Sequence, residues 1–258
     1  MTLLILVALY AVVLSAALAW AGHWSRPAAR SEAPPRRPLR ILIVGATGGT
    51  GRMLVAQSLE RGYAVTAFVR DPSRLKIEHP RLRIVPGDVL DAESVAAAVY
   101  GQQAVLSALG HKQYFKPTRI QSQGTANILR AMDTHGVSRF VCETSLGIGD
   151  SAGRMGLYYT FFVVPFILPF YYWDKTRQER IIGASGADWV IVRPGALNNG
   201  ARRGQYRHGR HVGNYFWTVR ISRADVAAFM LDQLESDSYL RSAPGVCWSW
   251  RWRSRRRG

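Results

Sequence analysis

The residues with the clearest chemical meaning are Gly45, Thr47, Gly48, Gly49, Thr50 and Gly51, in the run Gly45-Ala-Thr-Gly-Gly-Thr-Gly51. They follow the apolar run Ile41–Val44 and lead into Arg-Met-Leu-Val-Ala, which reads as the start of a helix. In a strand–loop–helix context the first glycine permits a tight turn. The second lets the backbone approach a pyrophosphate, and the third lets the helix pack closely on the strand. The helix N-terminus then offers N–H groups and partial positive charge to the phosphates. The spacing is G-x-x-G-x-x-G, and the Lys-Ser/Thr pair of a mononucleotide loop is absent, so a dinucleotide is the ligand this loop suits. Arg70 and Asp71 follow the second apolar run. An acid there suits the ribose of NAD, and an Arg the 2′-phosphate of NADP. Arg70 comes first, with Arg74 close by, so NADP is expected over NAD.

Other chemistry finds little support. Cys142 and Cys247 lie far apart and form no CxxC. His208-Gly-Arg-His211 lacks carboxylate or cysteine partners, so no metal site is expected. The formal net charge is +17, but nine of those charges sit in Arg26–Arg40 and Arg251–Gly258. A further Arg-rich stretch holds Arg202, Arg203, Arg207 and Arg210. No helix-turn-helix, zinc-finger or RNA-binding sheet signature accompanies these stretches, so nucleic acid is not the expected partner.

The loop has to be positioned by a sheet. Strands are expected at Ile41–Val44, Ala64–Val69, Leu82–Val85, Ala104–Ala108, Arg139–Thr144 and Trp189–Val192. Helices are expected between them at Arg52–Arg61, Ala92–Val99, Arg119–His135 and Lys175–Ala184. The strand runs are continuously apolar, as in a parallel sheet covered on both faces. The alternation therefore predicts an α/β, doubly wound parallel sheet in a single domain over 39–240. Leu3–Ala21 carries no charge over 19 residues, about 28 Å as a helix against a hydrocarbon layer of ~30 Å. Residues 1–25 thus read as a membrane anchor. A cleaved signal segment is the rival, given Ala17-Leu18-Ala19, though Met1-Thr2 carries no positive charge. Arg26, Arg30, Arg36 and Arg37 follow the run, which places the main body in the cytoplasm. Residues 26–38, with four prolines, read as an extended linker, and 241–258 as a basic aromatic tail.

The sequence resembles the short-chain dehydrogenase/reductase superfamily in its atypical NAD(P)H-binding branch, which includes NmrA-like and biliverdin-reductase-B-type proteins. The matching pieces are the glycine loop, Val69-Arg-Asp71, Gly87-Asp-Val89, Val105–Gly110, Phe140–Ser145, Val192-Arg-Pro-Gly195 and Ser222–Ala227. The resemblance implies a Rossmann-type fold, adenine contacts from Asp88 and Val89, and a cofactor-lining backbone at Ala108, Leu109 and Gly110. It implies that Ser145 lies beside the nicotinamide as hydrogen-bond donor to the substrate carbonyl. It also implies a Tyr that transfers a proton and a Lys that supports it and holds the ribose. Tyr171 and Lys175 have the needed spacing, because residues four apart share a helix face. The residues themselves leave open a packing tyrosine and a surface lysine, and for Asp88 a turn-forming acid.

Tyr171 closes the aromatic run Leu157–Trp173, interrupted by Pro165 and Pro169. That run reads as buried core, as an interfacial loop beside the site, or as a self-association surface. The expected function is an NADP-dependent oxidoreductase, or an epimerase-like enzyme, acting on an apolar carbonyl, quinone or flavin-type substrate. The alternative is a non-catalytic dinucleotide-binding redox sensor or assembly factor.

Overall fold

The computed structural model describes residues 39–111 and 115–248. All six expected strands form: β1 Arg40–Val44, β2 Ala64–Val69, β3 Leu82–Pro86, β4 Ala104–Ser107, β5 Arg139–Glu143 and β6 Asp188–Pro194. They pair in parallel in the order β3-β2-β1-β4-β5-β6. Ile41 and Ile43 of β1 enter one apolar core and Leu42 and Val44 the other, since successive strand side chains point to opposite faces. With both faces covered, the strand is buried along Ile41–Val44, which is why no alternation is visible in the sequence.

The first core is closed by α1, Gly49–Glu60. The second is closed by α2, Ala92–Val99, α3, Ile120–Thr134, and α4, Pro169–Gly183. Two short strands follow β6, β7 Ala196–Asn198 and β8 Tyr206–Gly209, then β9 Arg220–Ser222 and α5, Arg223–Asp232, which packs on the α1 side. The last strand, β10 Gly245–Trp248, pairs parallel to β6 and antiparallel to β8.

Several expectations are corrected. Residues 245–248, assigned to a tail, form a sheet strand; four residues between Pro244 and Ser249 give too short a pattern to read. Helix α4 begins at Pro169, not Lys175, because proline is tolerated in a first helical turn. Before it, Tyr159–Ile167 is a π-helical segment that includes Pro165. The buried-core reading of the aromatic run fails there, since Phe161, Phe162 and Phe166 are each at least 60% exposed. The N-terminal membrane anchor is not supported as part of the fold. No helix among the described residues is long and apolar enough to cross a membrane. The expected span Leu3–Ala21 and the linker 26–38 lie outside the described residues, as do 249–258 of the tail.

Candidate dinucleotide-binding and active site

The strand order reverses direction between β1 and β4, and the loops leaving these two strands form a crevice at their carboxyl ends, where doubly wound sheets bind ligands. Gly45 has φ +82°, and a Cβ there would stand 2.5 Å from the Ala108 carbonyl oxygen. A Cβ on Gly51 would stand 2.1 Å from the Gly45 carbonyl oxygen. The loop is therefore folded tightly on itself and against β4. Helix α1 has Gly48 as N-cap, with no side-chain cap and no acid in its first turn. Its leading N–H groups face outward from an electropositive end, a cradle that fits a pyrophosphate. Thr47, Gly48 and Gly49 lie on the loop surface. Thr50 is buried, and its hydroxyl donates to Glu143 Oε1 at 3.0 Å, so only its backbone faces a ligand. Gly51→Ala is expected to weaken dinucleotide binding by at least about tenfold, about 1.4 kcal/mol. Fluorescence titration beside a thermal melt separates that loss from unfolding.

At the end of β2, Arg70 is exposed. The Asp71 carboxylate is occupied, accepting from Ser73 N at 3.1 Å and Ser73 Oγ at 2.6 Å. A cleft of about 480 Å³ beside this turn is lined by Arg52, Arg74 and Lys76. Asp88 is exposed and its Oδ1 accepts from Leu90 N, the turn-forming role its residue type allowed. Val89 is buried against Gly124, and its carbonyl accepts from Asn127 Nδ2. The backbone Ala108-Leu109-Gly110 crosses the crevice, and a Cβ on Gly110 would lie 3.9 Å from the Tyr171 hydroxyl.

Lys175 is 1% exposed, which overturns the surface-lysine reading. Its Nζ donates to the carbonyls of Leu109 at 3.0 Å and Glu143 at 2.8 Å. Burial holds its ammonium below the ordinary lysine range, opposed by Cys142, Glu143, Glu179 and Asp174. The same burial raises the Glu143 carboxyl, with Lys175, Thr50 and Arg223 acting to keep it ionised. Lys175 Nζ lies 5.7 Å from the centroid of the Tyr171 ring. The Ser145 hydroxyl, however, meets Tyr172 Oη at 2.9 Å, and that hydroxyl donates to the Leu146 carbonyl at 2.9 Å. Tyr172 is buried and its hydroxyl is pushed up by that burial. Ser145, Tyr171 and Tyr172 all line a cleft of about 240 Å³ that also reaches Met155, Leu168 and Arg223.

Three supports escaped the sequence reading. Asp174, fully buried, accepts from the N–H groups of Gln121 and Ser122, so α4 caps α3, which has no side-chain cap of its own. Arg193 holds Glu179 through Nε and Nη2 at 3.0 and 2.7 Å, also pairs with Asp150, and Glu179 accepts from Thr144 Oγ1 at 2.6 Å. Arg223 lies across the glycine loop. The motif Val192-Arg-Pro-Gly195 signalled Arg193, but nothing in the sequence paired it with Glu179.

The NAD(P)H-binding family model matches residues 45–237, from the first loop glycine to beyond α5. The chain belongs to the NAD(P)H-binding family. Its architecture is that of the atypical short-chain dehydrogenase/reductases. An uncharacterised chloroplastic protein of Arabidopsis thaliana is 34% identical over 62% of this chain and 60% of its own length. The photosystem II assembly factor Ycf39 of Synechocystis sp. is 28% identical over 83% of this chain and 64% of its own. The chain thus spans less than two thirds of either relative. A short-chain dehydrogenase/reductase of Veillonella parvula, solved with NADP, superposes with a TM-score of 0.67 at 18% identity, covering 82% of this chain and 95% of that one. The expected membrane-anchored, cytoplasm-facing placement is corrected: no described helix can span a membrane, and the Arabidopsis relative is a chloroplastic protein.

Proposed function

We propose that the protein is an NADP-dependent oxidoreductase acting on an apolar carbonyl, quinone or flavin-type substrate. One observation carries the reading: Ser145 and Tyr171 line one cleft, and the buried Lys175 places its Nζ 5.7 Å from the Tyr171 ring centroid. A bound nicotinamide supplies the hydride chemistry, and the chain's own groups handle the proton. Tyr171 is the group that gives its phenolic proton to the substrate oxygen. The cationic Lys175 beneath its ring favours the phenolate left behind. Ser145 directs its hydroxyl to the same oxygen, and Tyr172 fixes where Ser145 sits. Leu168, Pro194 and Leu197 give the cleft an apolar side beside its hydroxyl groups and Arg223.

The full-length chain titrated with NADPH and NADH, by energy transfer from protein to nicotinamide fluorescence, tests the cofactor. Adding a quinone, a flavin or an apolar ketone and following reduced-nicotinamide absorbance tests turnover. NADPH-selective binding with oxidation supports the reading, and failure to bind either dinucleotide overturns it. The cations Arg70, Arg74, Arg52 and Lys76 around an Asp71 already engaged in its own turn support NADP. Arg70→Ala with Arg74→Ala is expected to weaken NADPH binding by about 10–100-fold, the loss of charge-assisted hydrogen bonds, and to spare NADH. Equal losses for both dinucleotides would remove the selectivity assignment.

A second reading, a dinucleotide-binding assembly or regulatory factor, is favoured by the exposed aromatic surface of Tyr158, Phe161, Phe162, Phe166 and the neighbouring Trp217. The resemblance to an assembly factor agrees with it. Dinucleotide binding without turnover on any of the three acceptors would favour this second reading.

A further inference from the structure

Arg223 opens α5, far in sequence from the glycine loop, yet its side chain lies on that loop. A Cβ at position 49 would stand 2.5 Å from both its Cδ and its Nε. Its backbone is fixed by a dense anchor. Ser222 caps the helix by accepting from Asp225 N at 3.0 Å. Asp225, fully buried, accepts in turn from the N–H groups of Arg203 and Gly204, from Ser222 Oγ and from Trp248 Nε1. That carboxylate is fully engaged and serves as no counter-ion for Arg223. The guanidinium instead donates from Nη1 to the neutral Asn199 Oδ1 at 2.7 Å. Among the described residues no carboxylate lies within ion-pair distance of it, and its charge reaches the buried Glu143 carboxyl only across a longer gap. Arg223 also lines the cleft of Ser145 and Tyr171, where it is the charged member of the lining.

We propose that Arg223 is a clamp for the pyrophosphate of the bound dinucleotide. The α1 N-terminus offers N–H groups and only a partial charge of roughly half a unit from one side. A full cation then adds from beside the loop, exchanging Asn199 for phosphate oxygens in a forked, charge-assisted pair. The side chain already rests on the loop that carries the phosphates, so a rotation of its end suffices. The assignment rests on the dinucleotide reading above and adds a residue that the glycine motif does not contain.

The test uses the full-length chain as wild type, Arg223→Ala and Arg223→Lys, titrated with NADPH and with adenosine 2′-monophosphate, which has no pyrophosphate. Arg223→Ala is expected to weaken NADPH binding by about 10–100-fold and to leave adenosine 2′-monophosphate unchanged. Arg223→Lys recovers part of the loss, because it keeps the charge without the fork. Unchanged NADPH affinity in Arg223→Ala overturns the clamp. Equal losses for both probes also overturn it, since that pattern reports a damaged fold. Intact NADPH binding with a raised KM for a carboxylate-bearing acceptor assigns the guanidinium to the substrate instead. Wild type that binds no NADPH removes the dinucleotide reading, and the clamp with it, before any variant is compared.

Discussion

Tyr171→Phe is expected to lower turnover by about 10²–10⁴-fold, the range for loss of a positioned general acid, while NADPH affinity stays unchanged. Two adjacent tyrosines compete for the role, and their surroundings separate them. Tyr172 is 7% exposed and its hydroxyl is committed between Ser145 and the Leu146 carbonyl. Burial raises it, so it holds its proton. Tyr171 is partly exposed, lines the cleft, has its hydroxyl on the side of Gly110 where a Cβ would stand, and has Lys175 Nζ 5.7 Å from its ring centroid. Tyr172→Phe is expected to act differently, loosening Ser145 and lowering the melting temperature, with a smaller loss of rate. Single-turnover oxidation of NADPH, measured beside fluorescence titration, distinguishes the two. Full activity in Tyr171→Phe with loss in Tyr172→Phe would reverse the assignment.

Arg193→Leu is expected to cost about 3–5 kcal/mol of stability, because it leaves the Glu179 carboxylate buried without its cation. For a domain of this size that is a fall of roughly 6–20 °C in melting temperature. The side chains are 7% and 9% exposed, and the contact is two-pronged. Arg193 stands at the end of β6 and Glu179 on α4, while Thr144 joins Glu179 from the residue before Ser145. The pair therefore ties β6, α4 and the Ser145 loop together. Glu179→Gln combined with Arg193→Met should recover most of the loss, since neither variant side chain carries a charge to leave buried. Thermal melts of the single and double variants measure this coupling directly. An undisturbed melt in Arg193→Leu would show that the ion pair contributes nothing to the fold.

The order of strands and helices was legible because each parallel strand, buried on both faces, leaves a continuous apolar run such as Ile41–Val44. Gly62, Gly101 and Gly136 mark helix ends by taking positive φ. Gly186 does not, because α4 ends earlier, at Gly183. The phosphate loop was legible for the same kind of local reason: only glycine tolerates the backbone contacts at positions 45 and 51. By contrast, β10 carries four residues and no periodicity of its own. Its place beside β6 is set by a pairing between distant segments.

The sequence by itself determined the doubly wound fold, the dinucleotide loop and the Tyr–Lys spacing, since each depends on residues close together along the chain. Only the tertiary structure decided that Tyr172 is buried with its hydroxyl on Ser145 while Tyr171 stays partly exposed, because neighbours on a helix point about 100° apart and packing separates them. It also decided that Lys175 is buried under the Leu109 and Glu143 carbonyls, that Asp174 caps another helix, and that Arg223 reaches Gly49. Each of these joins side chains from separate elements, and no local pattern encodes a contact that exists only once the sheet has brought those elements together.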